Sequence, residues 1–313
     1  APYYIDSEED LLKIGSDSSF SSTSSYILMQ DISLSAPITP LFNNGEFNGN
    51  FNGNGYSIKD LKVETAEGVL NAGLFSKIGA TGVVSDLTMS GVNVNGQFET
   101  AGSVAGINLG TVTRCEVISG AVSSTLEEAS VGGVVGINRY SNANYGRIDR
   151  CSSAVGVVGT KNVGGLVGVN DGAIVINSYV KLDETTTIKT LSEQSNVGGL
   201  IGLHTNKSDK AAIVKNCYAV STVLVNESLD ESTCFVASLI GYNDEIGQNT
   251  PNYIMGVYTN NAQMTAINNE FNKTFTGAQK AEEANFRGVY TSFPKDAQGK
   301  IVANELKSYV SKK

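Results

Sequence analysis

The chain has 313 residues, of which 41% are hydrophobic and only 17% charged, a balance that suits a buried, hydrogen-bonded β structure and excludes a disordered polyelectrolyte. A net charge of -9 without clustered Lys and Arg excludes nucleic acid as a partner and disfavours an anionic membrane surface. No apolar run reaches the ~18 residues of a membrane span, and with Ala1 as the first residue any export signal or lipid anchor is expected to lie upstream.

In chain order, Asp6 and Glu9 ahead of Leu11, Leu12 and Ile14 predict an N-cap and a capping-box carboxylate opening a short helix, about residues 7 to 14. A Ser-rich loop follows over 16 to 25, then strands at 26 to 29 and 32 to 34. Glycines 49, 53 and 55 in the Asn-Gly-rich stretch 43 to 56 are expected at tight turns with positive φ.

A glycine-plus-aliphatic block then recurs six times. The clearest copies are Val163-Gly-Gly-Leu-Val-Gly168 and Val197-Gly-Gly-Leu-Ile-Gly202, and the last positions of the blocks are 76, 106, 136, 168, 202 and 241. They are separated by 30, 30, 32, 34 and 39 residues, the signature of a solenoid. Behind each block runs an aliphatic-x-x-small-x-apolar segment, as in Val112/Cys115/Val117, Ile148/Cys151/Ser153, Val175/Ser178/Val180 and Val214/Cys217/Ala219. A third short strand, such as 120 to 122 or 155 to 158, completes the period. The expected fold is all-β: a parallel β-helix with three short strands per coil, extending over 1–260 with an N-terminal helical cap. An antiparallel sandwich has no reason to repeat its core residues at matching places. Residues 261–313 leave the repeat and are expected to form a C-terminal capping segment with helices at 278 to 286 and 303 to 310, covering the open strand edges.

The glycine block with Asn170 close behind it, together with Val214-Lys-Asn-Cys-Tyr218 and the lead-in Phe47-x-Gly-x-Phe51-x-Gly-Asn-Gly55, resembles the GLUG repeat of bacterial surface proteins. That repeat is similar to one beside the N-terminal region of immunoglobulin-A-cleaving metallopeptidases. The resemblance covers about residues 4 to 260. It implies a right-handed parallel β-helix on a secreted or surface-anchored protein of the kind labelled adhesin, extracellular at the cell surface or anchored to an outer membrane as a lipoprotein. It implies no activity, and no His-Glu-x-x-His segment is present to carry peptidase chemistry over.

Candidate chemistry is sparse. The single histidine, His204, is expected in a solvated loop, and no catalytic residue, metal site or cofactor is assigned. Cys115, Cys151, Ser178 and Cys217 share a column with Leu87 and Val257, so they read as a structural core ladder of unpaired small side chains. The acidic pairs at 127–128, 183–184, 230–231 and 244–245 fall in different loops, while Arg147, Asp149 and Arg150 read as a salt-bridged surface. Tyr140, Tyr145, Tyr242 and Tyr253, with Asn142 and Asn144, lie in the insertions that follow the glycine blocks. They are the candidate binding residues, because loops inserted at one place in a repeat emerge from one edge.

The function expected is a non-enzymatic, monomeric adhesin or ligand-binding protein whose partner is a glycan or an extracellular protein. A polysaccharide lyase or hydrolase on the same scaffold and a passive surface spacer are the alternatives.

Overall fold

The computed structural model describes residues 1–206, 210–224, 234–244, 252–259, 267–269 and 286–290. Strands pair in parallel throughout the described residues, and the antiparallel contact among them is an isolated bridge between Ser141 and Asn144. Following one coil, Phe75–Ile78 leads to Val83–Ser85, Thr88–Ser90, Val92–Gly96 and Thr100–Ala101, after which Ala105–Asn108 lies back on Phe75–Ile78. Repetition of this path stacks the strands into five columns that belong to four sheets. The molecule is a β-solenoid.

Five strands per coil replace the three expected because two of the three segments read from sequence are broken by a corner. One corner divides the aliphatic-x-x-small segment. There Asp86, Arg114, Arg150, Asn177 and Asn216 all adopt left-handed φ values between 52° and 57°, which turn the chain by a single residue, and asparagine tolerates that conformation better than most side chains. The two halves stay in the same sheet, and in the coil of Cys217 they run on as one strand, Ile213–Val220. The second corner lies inside the glycine block. A Cβ on Gly168 would stand 2.6 Å from the Gly136 carbonyl oxygen and 2.7 Å from the Val131 nitrogen, so the columns on either side approach too closely for any side chain there.

Between these corners the inward positions stack in register. Val112 pairs with Ile148, Ile148 with Val175, and Val175 with Val214, all fully buried, so the column expected from the repeat is present. It extends upward through Val84 to Phe51 and downward to Ile254. Leu87, Cys115, Cys151, Ser178 and Cys217 are buried as well, and the cysteines are free thiols. Their Sγ atoms donate weakly to backbone carbonyls, Cys151 to Val112 and Asp149 at 3.5 Å each.

At the N-terminal end the helix Glu8–Lys13 is capped by Ser7, one residue later than expected, whose side chain accepts from the Asp10 amide. Leu11 and Ile14 pack into the core. A strand absent from the sequence reading, Tyr3–Ile5, pairs with Ser25–Leu28. Of the three glycines expected at turns, Gly55 has a positive φ of 79°. Gly53 serves close approach instead, since a Cβ there would lie 2.5 Å from the Asp86 carbonyl oxygen. Beyond residue 260, Ile267–Asn269 and Phe286–Tyr290 add parallel strands to existing columns. The helices expected at 278 to 286 and 303 to 310 lie outside the described residues, apart from Phe286, which begins a strand.

Candidate functional site

Coil length varies between the column of Phe75–Ile78 and that of Val83–Ser85. The connection is two residues in the coil of Asp171 and Ile174 but seven between Arg139 and Arg147. In the longer one, Ser141 and Asn144 exchange two backbone hydrogen bonds of 2.9 Å. The two residues between them, Asn142 and Ala143, have φ values of 49° and 67°, as in the primed turns that close tight hairpins. Asn142 and Asn144 are exposed. The turn brings Tyr140 and Tyr145 edge to face, with ring centroids 5.1 Å apart at 67°. The Tyr140 amide donates to the Asp171 carbonyl of the following coil at 3.0 Å, which fixes the loop to the scaffold. Lys210, from the connection two coils on, places its ammonium 5.5 Å from the Tyr140 ring centroid, within cation–π range. Tyr145 remains 40% exposed.

The other two tyrosines do not join this pair as loop residues. Tyr253 opens the strand Tyr253–Thr259, with its amide donating to the Ala212 carbonyl at 2.8 Å and its side chain 44% exposed. Tyr242 lies within the strand Ile240–Asp244 and stacks on Phe235, centroids 4.4 Å apart. It lines a groove at the glycine corner with Leu203, Asn162 and Asn196.

His204, expected in a solvated loop, is instead fully buried in the strand Ile201–Thr205. It continues a ladder of side-chain amides: Asn108 Nδ2 donates to Asn138 Oδ1 and Asn138 Nδ2 to Asn170 Oδ1, both at 2.8 Å. Asn170 Nδ2 then meets His204 Nδ1 at 3.2 Å. An amide donor at Nδ1 requires the tautomer protonated on Nε2, and Nε2 has no partner among the described residues. Burial drives the imidazole far below its ordinary value, to about 3. Asn138 and Asn243 are members of this same interior column. The signal that could have found the ladder is Gly-x-Asn at the end of successive glycine blocks, as in Gly136-Ile-Asn138 and Gly168-Val-Asn170.

Several of the charged residues are paired locally. Asp149, almost buried, accepts from Arg147 at 3.1 Å, Arg150 at 3.3 Å and Asn177 at 3.0 Å. Glu128 meets Lys161 at 3.1 Å. Asp183 closes its own turn by accepting from Thr185 and Thr186, which holds its carboxyl below the usual range. Residues 230, 231 and 245 lie outside the described residues.

Residues 159–183 and 193–224 match the profile of the GLUG motif; they contain the two clearest glycine blocks, so the chain carries GLUG repeats there. Halomucin from Haloquadratum walsbyi is 31% identical over 255 residues, an alignment that takes in 61% of this chain. The chain spans 3% of Halomucin's length. In fold it is similar to a Bacteroides ovatus crystal structure described provisionally as an immunoglobulin A1 protease, with a TM-score of 0.70 over 98% of this chain and 87% of that one. Identity there is 18%, so the likeness is one of fold.

Proposed function

We propose that this chain is a non-enzymatic ligand-binding protein of the adhesin kind, which holds a glycan or an extracellular protein at the edge carrying Tyr140 and Tyr145. The observation that carries the reading is the fixed aromatic pair. Two tyrosines set edge to face by a tight turn, with Lys210 against one of them, offer flat contact area and hydroxyl groups at little further ordering cost. Histidine-based acid–base catalysis fits less well, because the one histidine is buried and held neutral and so cannot exchange protons with a substrate. The GLUG repeat and the similarity to Halomucin support a place outside the cell. A right-handed coil, the sense that parallel crossovers nearly always take, and a capping role for the helix Glu8–Lys13 belong to the same reading.

Incubating the chain with panels of polysaccharides and extracellular-matrix proteins, while monitoring both retention and product release, tests the proposal. Retention without release is expected. Release of unsaturated or shortened sugars would make it an enzyme, and retention of nothing would leave it a spacer.

A further inference from the structure

The groove at the glycine corner has a chemistry of its own. It encloses about 520 Å³ between the column of Thr100–Ala101 and that of Ala105–Asn108. One wall is built of amides held in order: Asn196 Nδ2 donates to Asn162 Oδ1 at 2.8 Å, and Asn162 Nδ2 to Ser130 Oγ at 3.1 Å. The opposite wall is apolar, with Leu203 and Tyr242 in register on successive coils, and Phe235, which follows Asn196 in the amide column, stacks across on Tyr242 at 4.4 Å. The polar column continues toward the N-terminal end, where Thr100 Oγ1 donates to Asn71 Oδ1 at 2.8 Å. Equivalent groups therefore recur every ~4.8 Å along the solenoid.

These features select the ligand. Lys161 is paired with Glu128 at 3.1 Å, and Asp244 accepts from Thr205 at 3.4 Å, so among the described residues the groove presents no unopposed cation to an anionic polymer, and the chain's net charge of -9 repels one. A peptide would dock as an added strand only on free backbone groups. Here the backbone is committed between coils: Asn196 N donates to Lys161 O at 2.6 Å, Phe235 N to Ser195 O at 2.7 Å and Leu166 N to Leu200 O at 2.9 Å. Recognition is left to side chains. Amides donate and accept alike, which matches hydroxyl groups, and a stacked aromatic pair matches a flat apolar ring face.

We propose that this groove binds a neutral glycan chain laid along the solenoid axis, with a sugar ring on Phe235 and Tyr242 and its hydroxyls on the Asn162–Asn196 ladder. The assignment rests on the reading of the chain as a binding protein but not on the Tyr140–Tyr145 edge, and the test separates the two. The full chain is titrated calorimetrically with uncharged hexasaccharides of glucose, mannose and N-acetylglucosamine, with hexagalacturonate, and with an uncharged extended peptide. Hydroxyl-radical footprinting, read by mass spectrometry, is run on the same mixtures. At least one neutral hexasaccharide binds and protects Phe235 and Tyr242 while Tyr145 stays reactive. Tyr242→Ala weakens that binding at least ~10-fold, whereas Tyr4→Ala, at an exposed tyrosine near the N-terminus, leaves it unchanged. Footprinting of the unaltered chain decides the matter if Tyr242→Ala fails to fold. Failure of every neutral hexasaccharide to bind, binding of hexagalacturonate or the peptide alone, or protection confined to Tyr140 and Tyr145 overturns the assignment; the last result would still leave the first edge standing.

Discussion

His204 occupies a place that asparagine holds in the coils before and after it, at Asn170 and Asn243, and this makes it a source of acid sensitivity. Burial lowers its folded pKa to about 3, while an unfolded imidazole titrates near ~6.5. Between those values the unfolded chain binds a proton that the folded chain cannot. Stability from this residue is therefore complete above about pH 6.5 and falls by up to ~1.4 kcal/mol for each pH unit below it. The carboxylates held low by their partners, such as Asp86 beside Arg114, act only at lower pH. His204→Asn should complete the amide ladder and flatten the dependence of the urea midpoint between pH 7.5 and 5. An equally steep fall in the variant would place the sensitivity elsewhere.

The cysteines are the second residue-scale case. The Cys151 thiol alongside it and burial push the Cys115 thiol up, and burial pushes Cys217 up to about 12. Neither is a thiolate at neutral pH, so iodoacetamide should modify the folded chain little and all four cysteines after denaturation. A Cys115–Cys151 bridge in the non-reduced denatured chain would contradict this. Because Ser178 already occupies the same column, Cys151→Ser should cost less than ~1 kcal/mol, while Cys151→Arg buries an unpaired charge and should cost more than ~3 kcal/mol in denaturant unfolding.

At the scale of the element, two glycines separate space from conformation. Gly168 stands at the corner where a Cβ would strike backbone atoms at 2.6 and 2.7 Å, and backbone cannot step aside, so Gly168→Ala should cost at least ~2 kcal/mol. Gly156 lies in the strand Gly156–Gly159 with its nearest neighbour 3.6 Å from a Cβ, and it pairs with Ala121. Gly156→Ala should be neutral or stabilising by up to ~1 kcal/mol. Equal losses in thermal unfolding would show that the corner is not the constraint. The corners also mark where sequence was legible and where it was not. The repeating aliphatic and glycine positions gave the columns, because every inward place is constrained alike. The left-handed corner is visible at Asp86, Asn177 and Asn216 but masked at Arg114 and Arg150, where an ion pair to Asp86 or Asp149 holds a residue with poor intrinsic preference for that conformation. Two strands joined at such a corner read as one.

For the whole molecule, matched periodicity was enough to derive a parallel solenoid, whereas the sites were only partly accessible. Tyr140 and Tyr145 could be grouped by their common insertion, but Tyr242 could not be separated from them, because loop length does not reveal where a strand ends. His204 was misplaced for the same reason. What the assembled molecule adds is a division of labour: an interior fixed by stacked aliphatic, thiol and amide columns, and an edge where loops vary without disturbing it. The Tyr140→Ala/Tyr145→Ala double variant tests that division most directly, with affinity for a ligand retained by the unaltered chain and the urea unfolding midpoint measured on the same preparation. For a ligand held at this edge, the account predicts affinity reduced at least ~10-fold with the midpoint unchanged. Undiminished affinity for every retained ligand, or a midpoint that falls together with the affinity, would contradict it.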